Sequence, residues 1–182
     1  MKITTTFYPK NRKEWRKWLG KNHQKEKEIW VIYYKKNSDK LRIPYDEAVE
    51  EALCFGWIDG QVKSVDEEKY AQRYSPRRKG SNWSELNKER VRKLIKNKQM
   101  TAAGLEAYPH EHNAPKFKIP KDILKALKAN KDALENFQHL PESYKRVRIA
   151  WITSSGLPEQ KPKRLAYFIK MTAQNKKFGS WK

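Results

Sequence analysis

Residues 45–75 read YDEAVEEALCFGWIDGQVKSVDEEKYAQRYS, and this stretch decides the fold. Its first part predicts a helix from Tyr45 to Phe55, because acidic residues in the first turn favour the positive end of a helix dipole. Gly56 then supplies a residue type that ends helices. The apolar side chains fall at helical spacing and predict one buried face, made of Ala48, Val49, Ala52 and Leu53.

The second part of the stretch predicts a β-hairpin. Residues 57–65 and 70–75 are rich in aromatic and β-branched types, and the four polar residues 66–69 separate them. Upstream, residues 29–34 (IWVIYY) predict a buried strand, and residues 12–19 predict a short amphipathic helix. The expected N-terminal architecture is therefore a small antiparallel sheet with packed helices.

A capping motif follows the hairpin. Asn82 stands three residues before Glu85, the spacing of an N-cap and its N3 partner, so we expect Asn82 to begin a helix. The side chains that this helix is expected to bury are Trp83, Leu86, Val91, Leu94 and Ile95.

The rest of the chain predicts only helices. Helical patterns cover residues 122–129, 131–137 and 142–154, and Pro162 is expected to open a last helix. The fold class is α+β, with an all-helical C-terminal unit. We expect an α+β domain at 1–108, a linker at 109–120 and a helical unit at 121–182.

Composition restricts the class of protein. The 182 residues carry a formal net charge of +20 and one cysteine, which excludes an intramolecular disulfide and multi-cysteine metal sites. The N-terminus has no apolar signal region, and the longest apolar run, 29–34, is far short of the ~20 residues that span a bilayer. We expect a cytoplasmic protein with no membrane span, whose core depends on its seven tryptophans and nine tyrosines.

The densest positive charge lies in residues 73–98, here called the basic segment. It has ten basic and two acidic residues, and three of the cations are spaced four apart on the predicted helix. Such a surface suits phosphate backbones, so we expect contact with nucleic acid or another polyanion. The alternative is a solvated helix face. The candidate contact residues are Arg73, Arg77, Arg78, Lys79, Lys88, Arg92 and Lys96.

A second candidate site lies under the hairpin. Asp59 stands among apolar neighbours. A carboxylate in such a place usually caps a turn or pairs with an arginine, and Arg73 on the other strand is a candidate partner. The lining of a pocket at this place would be Trp57, Asp59, Tyr74 and Trp83. Cys54 lies near the C-terminal end of the predicted helix, where the helix dipole raises the pKa of a thiol and does not activate it. We therefore expect Cys54 to be a small buried side chain.

Metal and cofactor motifs are weak. His110, Glu111 and His112 supply too few ligands for a metal site, so we expect them in a surface loop. The sequence lacks a Walker A loop and a dinucleotide fingerprint, and we predict no cofactor and no catalytic residues.

Three groups of motifs are specific enough to compare with known families: residues 45–60 (YDEAVEEALCFGWIDG), 74–78 (YSPRR) with 81–84 (SNWS), and 100–105 (MTAAGL). They resemble the motifs of the YdeI/OmpD-associated family. Residues 120–169 are similar to the OmdA module of that family, although Ser154 and Ser155 stand where alanine and lysine are expected. The resemblance implies a bacterial cytoplasmic protein linked to bacteriocin protection or envelope stress, and it implies no reaction.

Three functions are consistent with these observations. The first is a non-enzymatic protection or stress protein that binds a polyanion through the basic segment. The second is a protein-interaction module, in which Trp151, Tyr167 and Phe168 form an apolar patch on the C-terminal unit. The third is a small-ligand or enzyme site under the hairpin. The oligomeric state does not follow from the sequence.

Overall fold

A computed structural model describes residues 2–35, 37–108 and 114–179. Within these residues the chain forms a four-stranded sheet and eight helices, which confirms the α+β class. They group into two compact units. The first unit comprises residues 1–82 and 91–112, and the second comprises residues 83–90 and 113–182. The sequence predicts 83–90 in the first domain, whereas the structure groups them with the C-terminal helices.

The sheet of the first unit has four strands: β1 (Thr6–Phe7), β2 (Ile29–Tyr34), β3 (Trp57–Ser64) and β4 (Lys69–Pro76). Their order is β1-β2-β4-β3. The predicted hairpin β3–β4 is confirmed, and β2 also pairs antiparallel with β4. The short strand β1, which the sequence analysis missed, pairs parallel with β2. Two residues are too few to show an alternating pattern, so β1 could not be found from periodicity.

The helices of the first unit are α1 (Arg12–Asn22), α2 (Tyr45–Cys54), the C-terminal half of α3 (Glu85–Lys96) and α4 (Ala102–Glu106). Trp15 is fully buried, and its indole Nε1 donates to the backbone oxygen of Ala48 at 3.0 Å. Its ring also meets Tyr74 edge-on, with centroids 5.3 Å apart. Trp57 is likewise buried and donates to the backbone oxygen of His23. Aromatic rings with satisfied polar atoms therefore form the core of this unit.

Helix α3 begins later than predicted. Its first residue is Glu85, and the side chain of Ser84 accepts from the backbone N–H of Asn87 at 3.2 Å. The backbone oxygen of Ser84 accepts the first intrahelical bond, from Lys88, so Ser84 holds the N-cap position. Asn82 as the N-cap is wrong. Asn82 and Ser84 are both residue types that favour the N-cap, so their types alone do not distinguish them. In the structure, the backbone oxygen of Asn82 accepts from the guanidinium of Arg77 within the preceding loop.

The second unit contains α5 (Lys121–Lys128), α6 (Lys131–His139), α7 (Glu142–Thr153) and α8 (Gln160–Ala173). The all-helical prediction is confirmed, but α8 begins two residues before Pro162. Proline fits there because the first turn of a helix has no internal acceptor for its N–H. The apolar core consists of Ile123, Leu127, Ala133, Phe137, Ile149, Ile152 and Phe168.

The described residues include no helix long and apolar enough to cross a membrane.

Candidate functional site

The loop after β4 is closed by one arginine. The guanidinium of Arg77 donates through Nη2 to the backbone oxygen of Asn82 at 2.8 Å, and its backbone N–H donates to Gly56. Burial lowers the pKa of Arg77, whereas the charge of Asp59 raises it. Arg77 is half-buried, so it organises the loop more than it presents charge to solvent.

The tip of this loop is a tight turn. The backbone N–H of Ser81 donates to the oxygen of Arg78 at 3.1 Å, and Gly80 has a φ of +76°. A positive φ at the third position of a four-residue turn favours glycine. Arg78 and Lys79 are both exposed at the tip.

The candidate cations differ in their exposure to solvent and in whether they form ion pairs. Arg78, Lys79, Lys96 and the neighbouring Lys98 are exposed, and none forms an ion pair with a described residue. All four belong to the first unit. Lys88 and Arg92 are half-buried, and Lys88 lies 4.0 Å from the carboxylate of Glu85.

Arg73 pairs with a carboxylate that the sequence analysis did not consider. Its Nε lies 2.6 Å from Oε2 of Glu28, a residue just before β2. The predicted pair with Asp59 is wrong, because Asp59 instead accepts from Tyr45 at 2.6 Å and from Gln72 at 3.4 Å. In the sheet, Asp59 stands opposite Tyr74 and not opposite Arg73. Arg73 is consequently neutralised and is a weak candidate for polyanion contact.

Tyrosines surround Asp59. The hydroxyls of Tyr33 and Tyr74 are 2.9 Å apart, and both side chains are almost fully buried. Burial raises the pKa of each phenol, and nearby negative charge on Asp59 adds to the effect. Both tyrosines therefore stay protonated near neutral pH and act as hydrogen-bonding core residues.

The four residues of the candidate pocket occupy different environments. Trp57 and Tyr74 are core side chains, with 1% and 0% of their surfaces exposed, and neither offers surface to a ligand. Asp59 is half-buried. Trp83 belongs to the second unit, where it lines a cavity of about 570 Å³ beside Arg148. The sequence analysis missed Arg148. Arginine inside an apolar helix face was a signal that could have drawn attention to it.

The expected apolar patch on the C-terminal unit is mostly internal. Phe168 is fully buried, Trp151 is half-buried, and Tyr167 is 46% exposed. A separate open groove of about 750 Å³ runs along α8. Its lining is mainly apolar and comprises Ala126, Ala129, Pro162, Leu165, Ala166, Ile169 and Ala173, with the polar Asn130 and Gln174 and the charged Lys170. His110, Glu111 and His112 lie outside the described residues.

The fold and these surfaces define an α+β protein with an all-helical C-terminal unit and exposed cations in its N-terminal unit. The chain belongs to the family described as a domain of unknown function, DUF8412, whose model matches residues 7–107. Residues 116–175 match a second family model, OmdA, described as "Bacteriocin-protection, YdeI or OmpD-Associated". The YdeI/OmpD-associated resemblance is therefore confirmed for the C-terminal part, whereas the N-terminal motifs match a different family. Comparison with curated proteins and with solved structures gave no match.

Proposed function

We propose that the protein is a cytoplasmic, non-enzymatic bacterial protein that acts in bacteriocin protection or stress by binding a polyanion, such as nucleic acid. The match of residues 116–175 to the OmdA model supports the biological role. The basic segment supports the chemistry. The two halves of the proposal rest on different parts of the chain and can be tested separately.

One observation carries the binding proposal. Arg78, Lys79, Lys96 and Lys98 are exposed cations of one unit without ion pairs to described residues. A cation paired with a carboxylate must lose that partner before it neutralises a phosphate, whereas these four need not. Polyanion binding gains free energy from the counterions that such contacts release.

The test is nucleic-acid binding across a salt gradient. Fluorescence anisotropy with a labelled 20-base-pair DNA and a matched RNA would give the affinity at each salt concentration, and heparin retention would supply an independent readout. If all four cations contact phosphates, the variant R78A/K79A/K96A/K98A should reduce the steepness of log Kd against log salt by about 3 to 4.

A matched control separates local contact from total charge. The variant K121A/K125A/K128A/K131A also removes four exposed cations, from α5 and the start of α6 in the second unit. It should leave most of the salt dependence in place. Equal losses in the two variants would show that only the net charge matters. Flow-through of the unmodified protein from heparin at low salt would overturn polyanion binding itself.

A protein partner is the second candidate, and it has less support. The predicted patch is reduced to Tyr167, since Phe168 lies in the core. The groove along α8 is apolar and open, but nothing among the described residues indicates what covers it. A small-ligand site under the hairpin ranks below both, because Trp57 and Tyr74 are buried.

A further inference from the structure

The second unit contains a cavity with the dimensions of a small-molecule site. Its volume of about 570 Å³ lies within the range of roughly 300–1,000 Å³ that ligand pockets occupy. Residues from the start of α3, from α7 and from the segment after α8 line it. Most of the lining is apolar, and the half-buried rings of Trp83 and Trp151 contribute to it.

Arg148 brings a buried positive charge to this cavity. Only 5% of its surface is exposed. The guanidinium lies 5.2 Å from the ring centre of Tyr144 and 4.9 Å from that of Phe178. A Cβ atom placed on Gly179 would come within 2.5 Å of Nη1, so the positive-φ glycine lets the backbone approach the guanidinium closely. Gly179 and Arg148 both line the cavity.

The guanidinium has no polar partner among the described residues. Its Nε is buried without a hydrogen-bond acceptor, and the described part of the chain supplies it with no hydrogen bond or ion pair. Aromatic rings interact with the face of a guanidinium and leave its N–H donors, which lie in the plane, unsatisfied. A buried guanidinium without hydrogen-bond acceptors is energetically unfavourable, and an anion bound beside it would remove this cost.

Arg146, two residues earlier on the same helix, is a partly buried arginine whose charge is balanced by carboxylates, as is usual for cations removed from water. Its Nε lies 2.5 Å from Oε1 of Glu89, and its Nη1 contacts Glu142. Helix α7 therefore carries two arginines at positions i and i+2, on different faces. Arg146 pairs with two carboxylates, whereas Arg148 pairs with none that the structure describes.

The lining indicates the class of ligand. A planar guanidinium binds a carboxylate through two parallel hydrogen bonds. The apolar walls include the indole rings of Trp83 and Trp151, which suit an aromatic body. Glu85 also lines the cavity, and its negative charge disfavours a dianion such as a phosphate monoester. We propose that this cavity binds a small monocarboxylate with an aromatic body, whose carboxylate pairs with Arg148.

Isothermal titration calorimetry of the full chain tests the proposal with indole-3-acetate, phenylacetate and the neutral indole-3-acetamide. We expect at least one acid to bind at submillimolar concentration, and indole-3-acetate to bind about tenfold or more tightly than its amide, since hydrogen bonds between charged groups exceed neutral ones. The absence of binding by either acid at ~10 mM would overturn the proposal, as would equal affinities for acid and amide.

Variants assign the effect to the guanidinium. Arg148→Met should weaken indole-3-acetate binding about tenfold or more and leave the amide's affinity unchanged. Arg148→Lys keeps the charge but loses the planar pair of donors. Its affinity for indole-3-acetate should therefore lie between that of the unmodified protein and that of Arg148→Met. Lys163→Met removes an exposed charge from α8 and should change neither affinity.

Retention of full acid affinity in both Arg148 variants, with folding confirmed by circular dichroism, would overturn the assignment. If Arg148→Met fails to fold, Arg148→Lys and Trp83→Leu decide the question, because the second should weaken acid and amide alike. The cavity lies in the second unit, whereas the four exposed cations lie in the first. Failure of one proposal thus leaves the other intact.

Discussion

Gly104 lies directly against the backbone carbonyl of Cys54: a Cβ atom on Gly104 would come within 2.2 Å of that oxygen. Thr101 holds the same carbonyl with two hydrogen bonds, from its hydroxyl at 2.6 Å and from its backbone N–H at 3.1 Å. The beginning of α4 is thus bound to the end of α2 at a distance that only glycine permits.

Gly104→Ala should therefore destabilise the protein by about 3 kcal/mol or more, because the obstruction is backbone and cannot move away as a side chain could. Urea unfolding would measure the loss. Gly156→Ala is the matched control, since its Cβ would meet nothing within 4 Å, and it should change the free energy of unfolding by less than about 0.5 kcal/mol. Equal losses of stability in the two variants would show that α4 moves away from the added methyl group at little cost, which would contradict this prediction.

The pairing of Arg73 can be measured by double-mutant cycles. Combining Arg73→Met with Glu28→Gln should give a coupling free energy of about 0.5–1 kcal/mol, as expected for a partly exposed ion pair. The cycle of Arg73→Met with Asp59→Asn is the comparison, and it should give less than about 0.3 kcal/mol. A larger coupling to Asp59 than to Glu28 would contradict the observed geometry.

The stabilising effect of Glu28 should depend on pH. A hydrogen bond from Thr4, and then one from Arg73, lower the pKa of Glu28 below its ordinary value of 4.5. A carboxyl with a lowered folded-state pKa contributes stability above the ordinary value, and this contribution is lost as pH falls through the folded-state pKa. Glu28→Gln should thus be less stable than the unmodified protein at neutral pH, and the difference should shrink below pH 4.5. An unchanged difference at about pH 3 would refute this.

Adjacent aromatic residues on α8 should respond very differently to truncation. Phe168 is fully buried and meets Phe137 edge-on, so Phe168→Ala should cost about 3–5 kcal/mol. Tyr167 is 46% exposed, and Tyr167→Ala should cost less than about 1 kcal/mol. Thermal melts of both variants would check this ranking, and a comparable loss in the two would contradict the placement of α8.

The thiol of Cys54 should not react with thiol reagents in the folded protein. Burial raises the pKa of its thiol to about 11, and the charge of Glu51 adds to the effect. Near pH 8 the thiolate fraction is therefore small and the sulfur is covered. An aromatic disulfide reagent should label Cys54 only after denaturant unfolds the chain. Rapid labelling without denaturant would show that α2 opens readily.

The local sequence of this protein determined its elements. Helix α2, the hairpin β3–β4 and the C-terminal helices all follow from apolar periodicity and from turn residues, which depend on neighbours a few positions away. The same patterns placed Cys54 in the interior. The local sequence could not reveal β1, because two residues carry no period, nor decide between Asn82 and Ser84 as the cap of α3.

Only the tertiary structure decided which side chains meet. The pairing of Arg73 with Glu28 and the contact of Gly104 with Cys54 join positions that are far apart in sequence. The surroundings of the Arg148 guanidinium, which lacks a hydrogen-bond acceptor among the described residues, also depend on distant positions. The total charge of +20 indicated a basic surface. Which cations remain exposed at that surface depends on the carboxylates and carbonyls that folding brings beside each one, and no spacing along the chain encodes that.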